Sequence, residues 1–161
     1  MIKCILENGN EVYFRHVTVG ALAVNEKNEI LLVRRALGIV RSGFYTIPGG
    51  FLDQNETARQ AVLRELQEES GYIGEVEVLF KINDSPKRPK EDRQNVDFIF
   101  VVKITGGEMK LNKEVDEIKW FSKENLPSED KFAFDHRKTI LRYFEYIEKP
   151  FSLPITGESD L

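Results

Sequence analysis

The sequence lacks most of the features that mark secreted, membrane-spanning or nucleic-acid-binding proteins. Cys4 is the single cysteine among 161 residues, so an internal disulfide is excluded and a cytoplasmic location is expected. Every apolar run is shorter than the roughly 20 residues needed to cross a bilayer. The net charge of −4 is spread over residues of both signs, which argues against general binding to nucleic acid or to acidic membranes. There is also no internal repeat and no low-complexity tract.

What remains is the composition of an ordinary globular chain, with 41% hydrophobic and 31% charged residues. A chain of this length predicts one domain with one substantial core. Patterning divides it into an N-terminal extension or short strand (1–16), a main domain (17–148) and a loose C-terminal tail (149–161). Strands interleaved with two helices predict an α/β layered fold. The predicted strands are Val17–Val24, Ile30–Val33, Phe44–Ile47, Val76–Ile82, Val96–Ile104 and Ile118–Phe121, and the predicted helices are Thr57–Ser70 and Asp135–Glu148.

The first predicted helix has both of its ends marked in the sequence. Thr57 followed three residues later by Gln60 is a capping-box pattern, and Gly71 stands where a C-terminal cap belongs. The helix lies in the segment GGFLDQNETARQAVLRELQEESGY, residues 49–72, which also carries the strongest functional signal.

That signal is the placement of three glutamates, Glu65, Glu68 and Glu69, which we call the box glutamates. On a helical wheel with Glu65 at 0°, Glu68 and Glu69 fall at about 300° and 40°. The apolar residues of the helix fall at about 320° to 100°, on the same side. The carboxylates therefore extend the stripe that packs inward.

Three like charges on a partly buried face are costly unless something neutralises them. The ordinary alternative, a solvated run of glutamates, costs only about 0.2–0.5 kcal/mol per pair. On a partly buried face with an effective dielectric near 20, each pair costs roughly 3 kcal/mol. A hard divalent cation removes the conflict because it binds several oxygen ligands within a small volume. The helix therefore predicts Mg²⁺ or Mn²⁺ held by carboxylates, and the sequence offers little nitrogen or sulfur for zinc.

From Gly50 to Tyr72 the segment resembles the Nudix box, in which glycine, five residues, glutamate and seven residues precede Arg-Glu-aliphatic-any-Glu-Glu-any-Gly-aliphatic. The chain departs from the pattern at Tyr72, in the final aliphatic position, and at Asn55, where relatives often carry glycine. The flanking segments VTVGALAV, ILLVRRA, FYTIPGG and EIKWFSKENLP are also similar to the family, so the resemblance covers most of the chain. The matching box positions are Gly50, Glu56, Arg64, Glu65, Leu66, Glu68, Glu69 and Gly71.

The resemblance implies an α/β/α sandwich with a central mixed sheet. It implies metal-dependent hydrolysis of a phosphoanhydride bond in a nucleoside diphosphate linked to a further group, such as ADP-ribose, or in a nucleoside triphosphate. The metal ligands would be the box glutamates, directly or through water, and the carbonyl of Gly49. Glu56 and Arg64 would brace the loop and helix around them. The resemblance leaves the oligomeric state open, with a homodimer as the candidate because dimers are common among relatives.

The residue that takes the proton of the attacking water varies within the family. Glu65 is one candidate. Glu114, six residues before Trp120, is the other, with an ordinary surface glutamate as its alternative role. Glu117 is a weaker contender.

Four arginines are candidates for binding substrate, because the guanidinium fork suits phosphate oxygens. Arg34 and Arg35 follow a predicted strand, and surface pairing is their alternative role. Arg88 and Arg93 lie in the loop after the box, where related enzymes select substrate.

Several other side chains are assigned mainly to structure. Tyr45 and Phe14 are possible partners for a stacked base, although most aromatic residues belong to a core. His16 precedes a strand and His136 opens the last helix, and both are expected to be structural. Cys4 cannot form a zinc ribbon without further cysteines.

Two rival functions remain. A nucleotide-sensing module of the same family usually loses box residues and needs an output domain, whereas this box is complete. An enzyme directed at capped RNA ends is disfavoured by the modest acidity and by the lack of a basic stripe.

Overall fold

Strands and helices occupy most of the described chain. The computed structural model describes residues 2–88 and 93–156. The helices are α1 (Ala58–Ser70) and α2 (His136–Glu148), and single 3-10 turns cover Lys123–Asn125 and Glu129–Lys131. The strands are β1 (Ile2–Ile5), β2 (Glu11–Phe14), β3 (Val17–Val24), β4 (Ile30–Arg35), β5 (Tyr45–Thr46), β6 (Gly49–Phe51), β7 (Tyr72–Asn83), β8 (Val96–Gly107), β9 (Val115–Phe121) and β10 (Ile155–Thr156).

Strands β3 and β8 form the parallel centre of a mixed sheet. Strand β7 lies antiparallel to the outer edge of β8, and β10 lies parallel beyond it. The other edge of β3 is shared, because β6 pairs with its first half and β4 with its last residue. Strand β4 also pairs antiparallel with β5 and β9. This division of the β3 edge opens the sheet beside β6, where the box begins.

The two faces of the sheet carry different helices. Because side chains alternate along a strand, Ala21 and Ala23 of β3 join a buried cluster with Val62 of α1. The intervening Leu22 joins the cluster that contains Ile140 of α2 on the opposite face. The prediction of an α/β/α sandwich with a central mixed sheet is confirmed.

Helix α1 begins and ends where the sequence predicts. The Thr57 side chain accepts a hydrogen bond from the Gln60 N–H, and the Gln60 side chain accepts one from the Thr57 N–H, which completes the capping box. Gly71 ends the helix with φ 78°, a left-handed conformation in which glycine is favoured. Within the described ranges, neither helix has the length and apolarity to cross a membrane.

The structure differs from the predictions mainly at strand ends and in the tail. Strands β7, β8 and β9 are longer than predicted, because further residues at their ends still pair across the sheet. The tail predicted to be loose contains β10, in which Ile155 is buried and pairs beside Lys81 of β7. At the other end of the chain, β1 and β2 form a separate hairpin. Residues 157–161 of the tail lie outside the described residues.

Candidate active site

A cleft of about 410 Å³ opens where β3, β6, α1 and the start of α2 meet. It brings together residues that are far apart in the chain. Predicted site residues on its wall are Gly49, Glu65, Glu68, Glu69, Glu114, Arg35, Arg88 and Arg93, and other residues on its wall are Thr18, Thr46, Gly50, Phe51, Asp53, Asn95, Asp97, Phe134 and His136.

Glu69 is the most deeply placed of the box glutamates, with 6% of its surface exposed. Its Oε2 accepts a hydrogen bond of 2.9 Å from the Gly49 N–H. Burial raises the pKa of Glu69 to about 8, with the negative charges of Glu65 and Glu114 acting in the same direction and Gly49 and Arg35 opposing. The nearby positive charge of Arg35 is therefore too small to offset the burial of this carboxyl group.

Glu65 lies against the backbone of Gly50. A Cβ atom at position 50 would stand 2.4 Å from the Glu65 Oε1, so glycine leaves the space that this carboxylate occupies. Burial raises the pKa of Glu65, which Arg64 opposes. Glu68 differs, because 58% of its side chain is exposed. The prediction that the three carboxylates share a buried face is therefore wrong for Glu68, which lies at the edge of the stripe.

Arg64 connects the box helix with the loop before it. It donates hydrogen bonds to both Glu56 oxygens at 2.7 and 3.1 Å, to Glu65 at 2.8 Å and to Glu68 at 3.2 Å. It also donates to the Phe51 carbonyl at 3.1 Å. These contacts match the bracing arrangement that the resemblance implies for Glu56 and Arg64.

The donors at this end of the cleft suit a hard divalent cation. They include the carboxylates of the box glutamates, oxygen ligands of the kind that Mg²⁺ and Mn²⁺ prefer. Burial, together with the negative charges of Glu65 and Glu114, raises the pKa of Glu69, and a bound cation would favour its charged form. Within residues 2–88 and 93–156, no three acidic, histidine or cysteine side chains stand close enough together to hold a metal ion as arranged. Arg64 accounts for part of this spacing, since it draws the Glu65 and Glu68 carboxylates toward itself.

The two candidate bases outside the box helix are placed very differently. Glu114 lines the cleft and contributes to the electrostatic environment of Glu65 and Glu69. Its segment is tied to α1 by Asn112, whose Nδ2 donates to the Glu68 carbonyl at 2.7 Å. Glu117 faces away from the cleft, where it pairs with Arg34 and Lys119 and accepts a hydrogen bond from the Tyr45 hydroxyl.

The four predicted arginines are placed differently. Arg35 and Arg93 face the cleft directly, Arg88 reaches its wall from a buried position, and Arg34 points elsewhere. Arg35 lines the cleft, and the carboxylates of Glu69 and Glu114 counteract the lowering of its pKa by burial. Arg93 lines the cleft at an exposed position. Arg34 is not among the described residues of the cleft wall, because alternation along β4 turns it toward Asp116, 2.7 Å away.

Arg88 reaches the cleft wall from a buried position. Only 4% of its side chain is exposed. Its Nε donates to Asp135 at 2.6 Å and its Nη1 lies 3.2 Å from the Asp97 carboxylate. Direct binding of a phosphate by Arg88, as predicted, would have to compete with these two carboxylates.

The aromatic and histidine residues of the cleft wall were not identified from the sequence. Phe51 and Phe134 line the cleft, whereas Tyr45 packs edge-on against Phe121 and Phe14 is exposed on the hairpin. His136 was expected to be structural but also lines the cleft. No local signal marks it, because the segment that opens α2 meets the cleft only through the tertiary fold.

Comparison with known proteins agrees with this geometry. A model of the NUDIX domain matches residues 14–143. An ADP-ribose pyrophosphatase of Methanocaldococcus jannaschii is 35% identical over 134 residues, which are 83% of this chain and 76% of that protein. A putative 8-oxo-dGTP diphosphatase of Bacillus subtilis is 34% identical over 131 residues, 80% of each chain.

A solved structure supports the fold. The crystal structure of a NUDIX hydrolase from Nitrosomonas europaea superposes with a TM-score of 0.79 at 24% identity, covering 97% of this chain and 92% of the other. The family predicted from the box is thus confirmed by the domain match, by curated relatives and by the fold. The chain belongs to the Nudix family of pyrophosphohydrolases.

Proposed function

We propose that this Nudix pyrophosphohydrolase cleaves the phosphoanhydride bond of an ADP-ribose-like nucleoside diphosphate derivative and requires Mg²⁺. The observation that carries the proposal is the buried Glu69 carboxyl, whose pKa is raised to about 8 beside a second buried carboxylate in a cleft. Such a group is stabilised in its charged form by a bound cation. Mn²⁺ has the same ligand preference and is expected to substitute.

The box glutamates and the carbonyl of Gly49 would hold the cation. When bound, a divalent cation neutralises phosphate charge and lowers the pKa of an attacking water. The protein's own part is to keep these oxygens in place. Arg64 contributes by bracing the loop before the helix through its hydrogen bonds to Glu56 and to the Phe51 carbonyl.

Glu114 is the proposed general base. It lines the cleft near Glu65 and Glu69 on a segment anchored through Asn112, and it is not itself bonded to Arg64. Glu65, the other candidate, is already engaged by Arg64 and lies among the proposed metal ligands. Removing a general base slows catalysis by about 10²–10⁴-fold, so Glu114→Gln should lower kcat to this extent while leaving metal affinity unchanged.

Arg35 and Arg93 are the proposed phosphate contacts. Both line the cleft, and a charged guanidinium suits phosphate oxygens. Arg88 acts indirectly in this proposal, through the Asp97 and Asp135 contacts that shape the cleft wall.

A nucleoside triphosphate is the second candidate substrate, because the Bacillus subtilis relative is named for one. Its match covers 80% of this chain, compared with 83% for the Methanocaldococcus jannaschii relative. The modest net charge of −4 supports a small molecule over a capped RNA. The complete box supports catalysis over sensing.

We also propose a cytoplasmic homodimer. The single cysteine supports the location. Ile5 and Tyr13, on one face of the β1–β2 hairpin, are 71% and 59% exposed, which supports an apolar contact between subunits. Light scattering after size-exclusion chromatography tests the dimer, and a monomer at micromolar concentration would overturn it.

The decisive experiment incubates the protein with Mg²⁺ and a panel of ADP-ribose, nucleoside triphosphates, dinucleoside polyphosphates and NADH, with products separated by chromatography. Cleavage of one class, lost on adding EDTA and in Glu69→Gln, supports the proposal. Nucleotide binding without turnover of any compound would favour a sensor.

A further inference from the structure

The part of the cleft around His136 is polar but buried. Its wall includes Thr46, Asn95, Asp97 and His136, which are 4%, 8%, 4% and 7% exposed, together with Arg88 and Phe134. Buried polar side chains are costly unless each of them is hydrogen-bonded. The hydrogen bonds that His136 makes, and the one that it lacks, therefore indicate which kind of ligand atom this part of the cleft can bind.

The protonation state of His136 follows from its hydrogen bonds. The Ile47 N–H donates to the His136 Nδ1 at 3.4 Å, and the Thr46 hydroxyl lies 2.7 Å from the same nitrogen. The Thr46 hydroxyl also lies 3.0 Å from the Ile47 carbonyl oxygen. Because a backbone N–H can only donate, we assign Nδ1 as the acceptor of the Ile47 N–H and place the proton of the neutral ring on Nε2. Burial lowers the pKa of His136 to about 4, so the ring stays neutral at physiological pH.

The Nε2–H group is a donor that the protein leaves for another molecule. In the described part of the chain, His136 Nε2 has no hydrogen-bond partner, although the ring is 93% buried and lines the cleft. A fixed, neutral donor in a cleft recognises an acceptor atom, such as a carbonyl oxygen or an unprotonated ring nitrogen.

This part of the cleft is unsuited to a phosphate. The positive charge of Arg88 lies between Asp97 and Asp135, with which it forms ion pairs at 3.2 and 2.6 Å. The Asp97 carboxylate also accepts a hydrogen bond from Thr18. With a neutral His136 beside two carboxylates and one guanidinium, no net positive charge faces the cleft here. The two carboxylates therefore disfavour an anionic group here, and a neutral part of the substrate fits better than a phosphate.

Phe134 adds an aromatic surface beside the donor. Its ring lies 5.5 Å from the His136 ring and 5.5 Å from the Arg88 guanidinium carbon. Its backbone has φ 55°, a left-handed conformation that is uncommon for a bulky residue and is often found at binding sites. Aromatic side chains favour planar ring ligands through stacking.

We propose that His136 is a specificity-determining residue, whose Nε2–H donates a hydrogen bond to an acceptor atom of the substrate's nucleobase while Phe134 contacts the base. The inference rests on the proposed function, because it concerns the nucleoside part of the same substrate. It places the base beside His136 and Phe134 and makes an unprotonated ring nitrogen or a carbonyl oxygen the recognised atom.

The test uses binding of hydrolysis products, which needs no turnover. AMP, GMP, CMP and UMP are titrated by calorimetry, with ribose 5-phosphate as the base-free control. Two substitutions at position 136 separate the atoms of the ring. Gln extends an amide N–H toward the Nε2 position, whereas Asn places its oxygen near the Nδ1 position and lacks a donor at Nε2.

We expect one or more of the nucleotides to bind more tightly than ribose 5-phosphate. In His136→Asn this preference should fall roughly tenfold, the usual effect of losing one neutral hydrogen bond, and His136→Gln should largely keep it. A residue that only supports the end of β5 at Thr46 and Ile47 gives the opposite order, with Asn tolerated and Gln not. That order, or equal binding of nucleotides and ribose 5-phosphate by the native protein, would overturn the proposal.

A measurement without substitution guards against variants that fail to fold. The sequence has two histidines, His16 and His136, so the ring-nitrogen signals in ¹⁵N NMR spectra are readily assigned. The His136 Nε2 signal should move on adding the preferred nucleotide and not on adding ribose 5-phosphate. Equal or absent shifts with both ligands would contradict the proposal.

Failure of the proposed function is distinguishable from failure of this inference. If no substrate is hydrolysed but the nucleotides bind as expected, the proposed enzyme activity is wrong and the proposed role of His136 stands. Hydrolysis of ADP-ribose with the same KM and kcat in the native protein, His136→Asn and His136→Gln keeps the enzyme and removes the role of His136.

Discussion

At two neighbouring positions beside the cleft, the structure requires a residue without a side chain. Position 50 has no side chain, and the Glu65 carboxylate lies in the space that a Cβ would fill. At position 49, a Cβ would stand 2.2 Å from the Val19 carbonyl of the neighbouring strand. The two adjacent glycines are therefore required for different reasons, one for the site and one for the sheet.

This difference gives the first prediction. Gly50→Ala should fold with nearly native thermal stability but displace the Glu65 carboxylate, weakening Mn²⁺ or Mg²⁺ binding by about 10–100-fold. Metal titration by calorimetry checks this. Gly49→Ala is the matched control and should instead lower the melting temperature, since the clash is with backbone. Native metal affinity in Gly50→Ala would show that Glu65 does not need this space.

The second prediction concerns the charge of Glu69. Its carboxyl is harder to ionise in the folded state, with a pKa of about 8, than in the unfolded chain. Without metal, ionisation of Glu69 therefore lowers the free energy of unfolding as the pH rises from the unfolded pKa to about 8. The loss is largest above pH 8. Glu69→Gln should raise the free energy of unfolding at pH 9 in EDTA by roughly 4 kcal/mol, and by much less at pH 5.5.

Urea unfolding at the two pH values measures this effect. The Gly49 N–H retains an acceptor in the Gln side chain, so the substitution removes mainly the charge. Mg²⁺ should stabilise the native protein and have little effect on Glu69→Gln. Equal stability of the two proteins at pH 9 without metal would mean that the Glu69 charge is not penalised by burial.

At the scale of elements, the site depends on how the segment before β9 is fastened to α1. Asn112 donates to the Glu68 carbonyl at the end of the helix and accepts hydrogen bonds from the N–H groups of Glu114 and Val115. One exposed side chain therefore sets the distance between the box helix and the proposed base.

Asn112→Ala should lower stability by about 1 kcal/mol and kcat by roughly tenfold to hundredfold, because a displaced base is ineffective. Steady-state kinetics with ADP-ribose check the second effect. If Asn112 acts through Glu114, the double variant Asn112→Ala/Glu114→Gln should be no slower than Glu114→Gln alone. Losses that multiply in the double variant would refute this coupling.

For the whole molecule, His136 links binding to stability, because it joins the start of α2 to the end of β5 at Thr46 and Ile47. Its pKa is about 4 when folded and near 6.5 in the unfolded chain, so only the unfolded state gains a proton between these values. Folding is thus destabilised as pH falls through this window.

As the pH is lowered from 7.5 to 4.5, the native protein should lose roughly 2–3 kcal/mol more of its free energy of unfolding than His136→Asn loses. Comparing the two proteins at each pH cancels the titration of other groups. Chemical unfolding followed by circular dichroism provides the measurement. A difference that does not change with pH would mean that His136 titrates freely when folded.

The sequence predicts well whatever depends on neighbours along the chain. Helix α1 carries its own start and stop signals at Thr57 and Gly71, and both act as predicted. The prediction that the box glutamates lie on the inward side of that helix was correct for Glu65 and Glu69 but not for Glu68. A helical wheel gives an angle, whereas exposure also depends on how far the neighbouring loop extends over the helix.

What the sequence alone determined is the family, the sandwich fold, the acidic helix and the reaction class, because the box encodes them in consecutive residues. Tertiary structure decided which distant side chains complete the cleft. Strand alternation turned Arg35 inward and Arg34 outward, and a buried ion network held Arg88. The packing of α2 brought His136 to the end of β5, 90 residues earlier in the chain. Such contacts depend on packing between separate elements, which local patterns of residues do not specify.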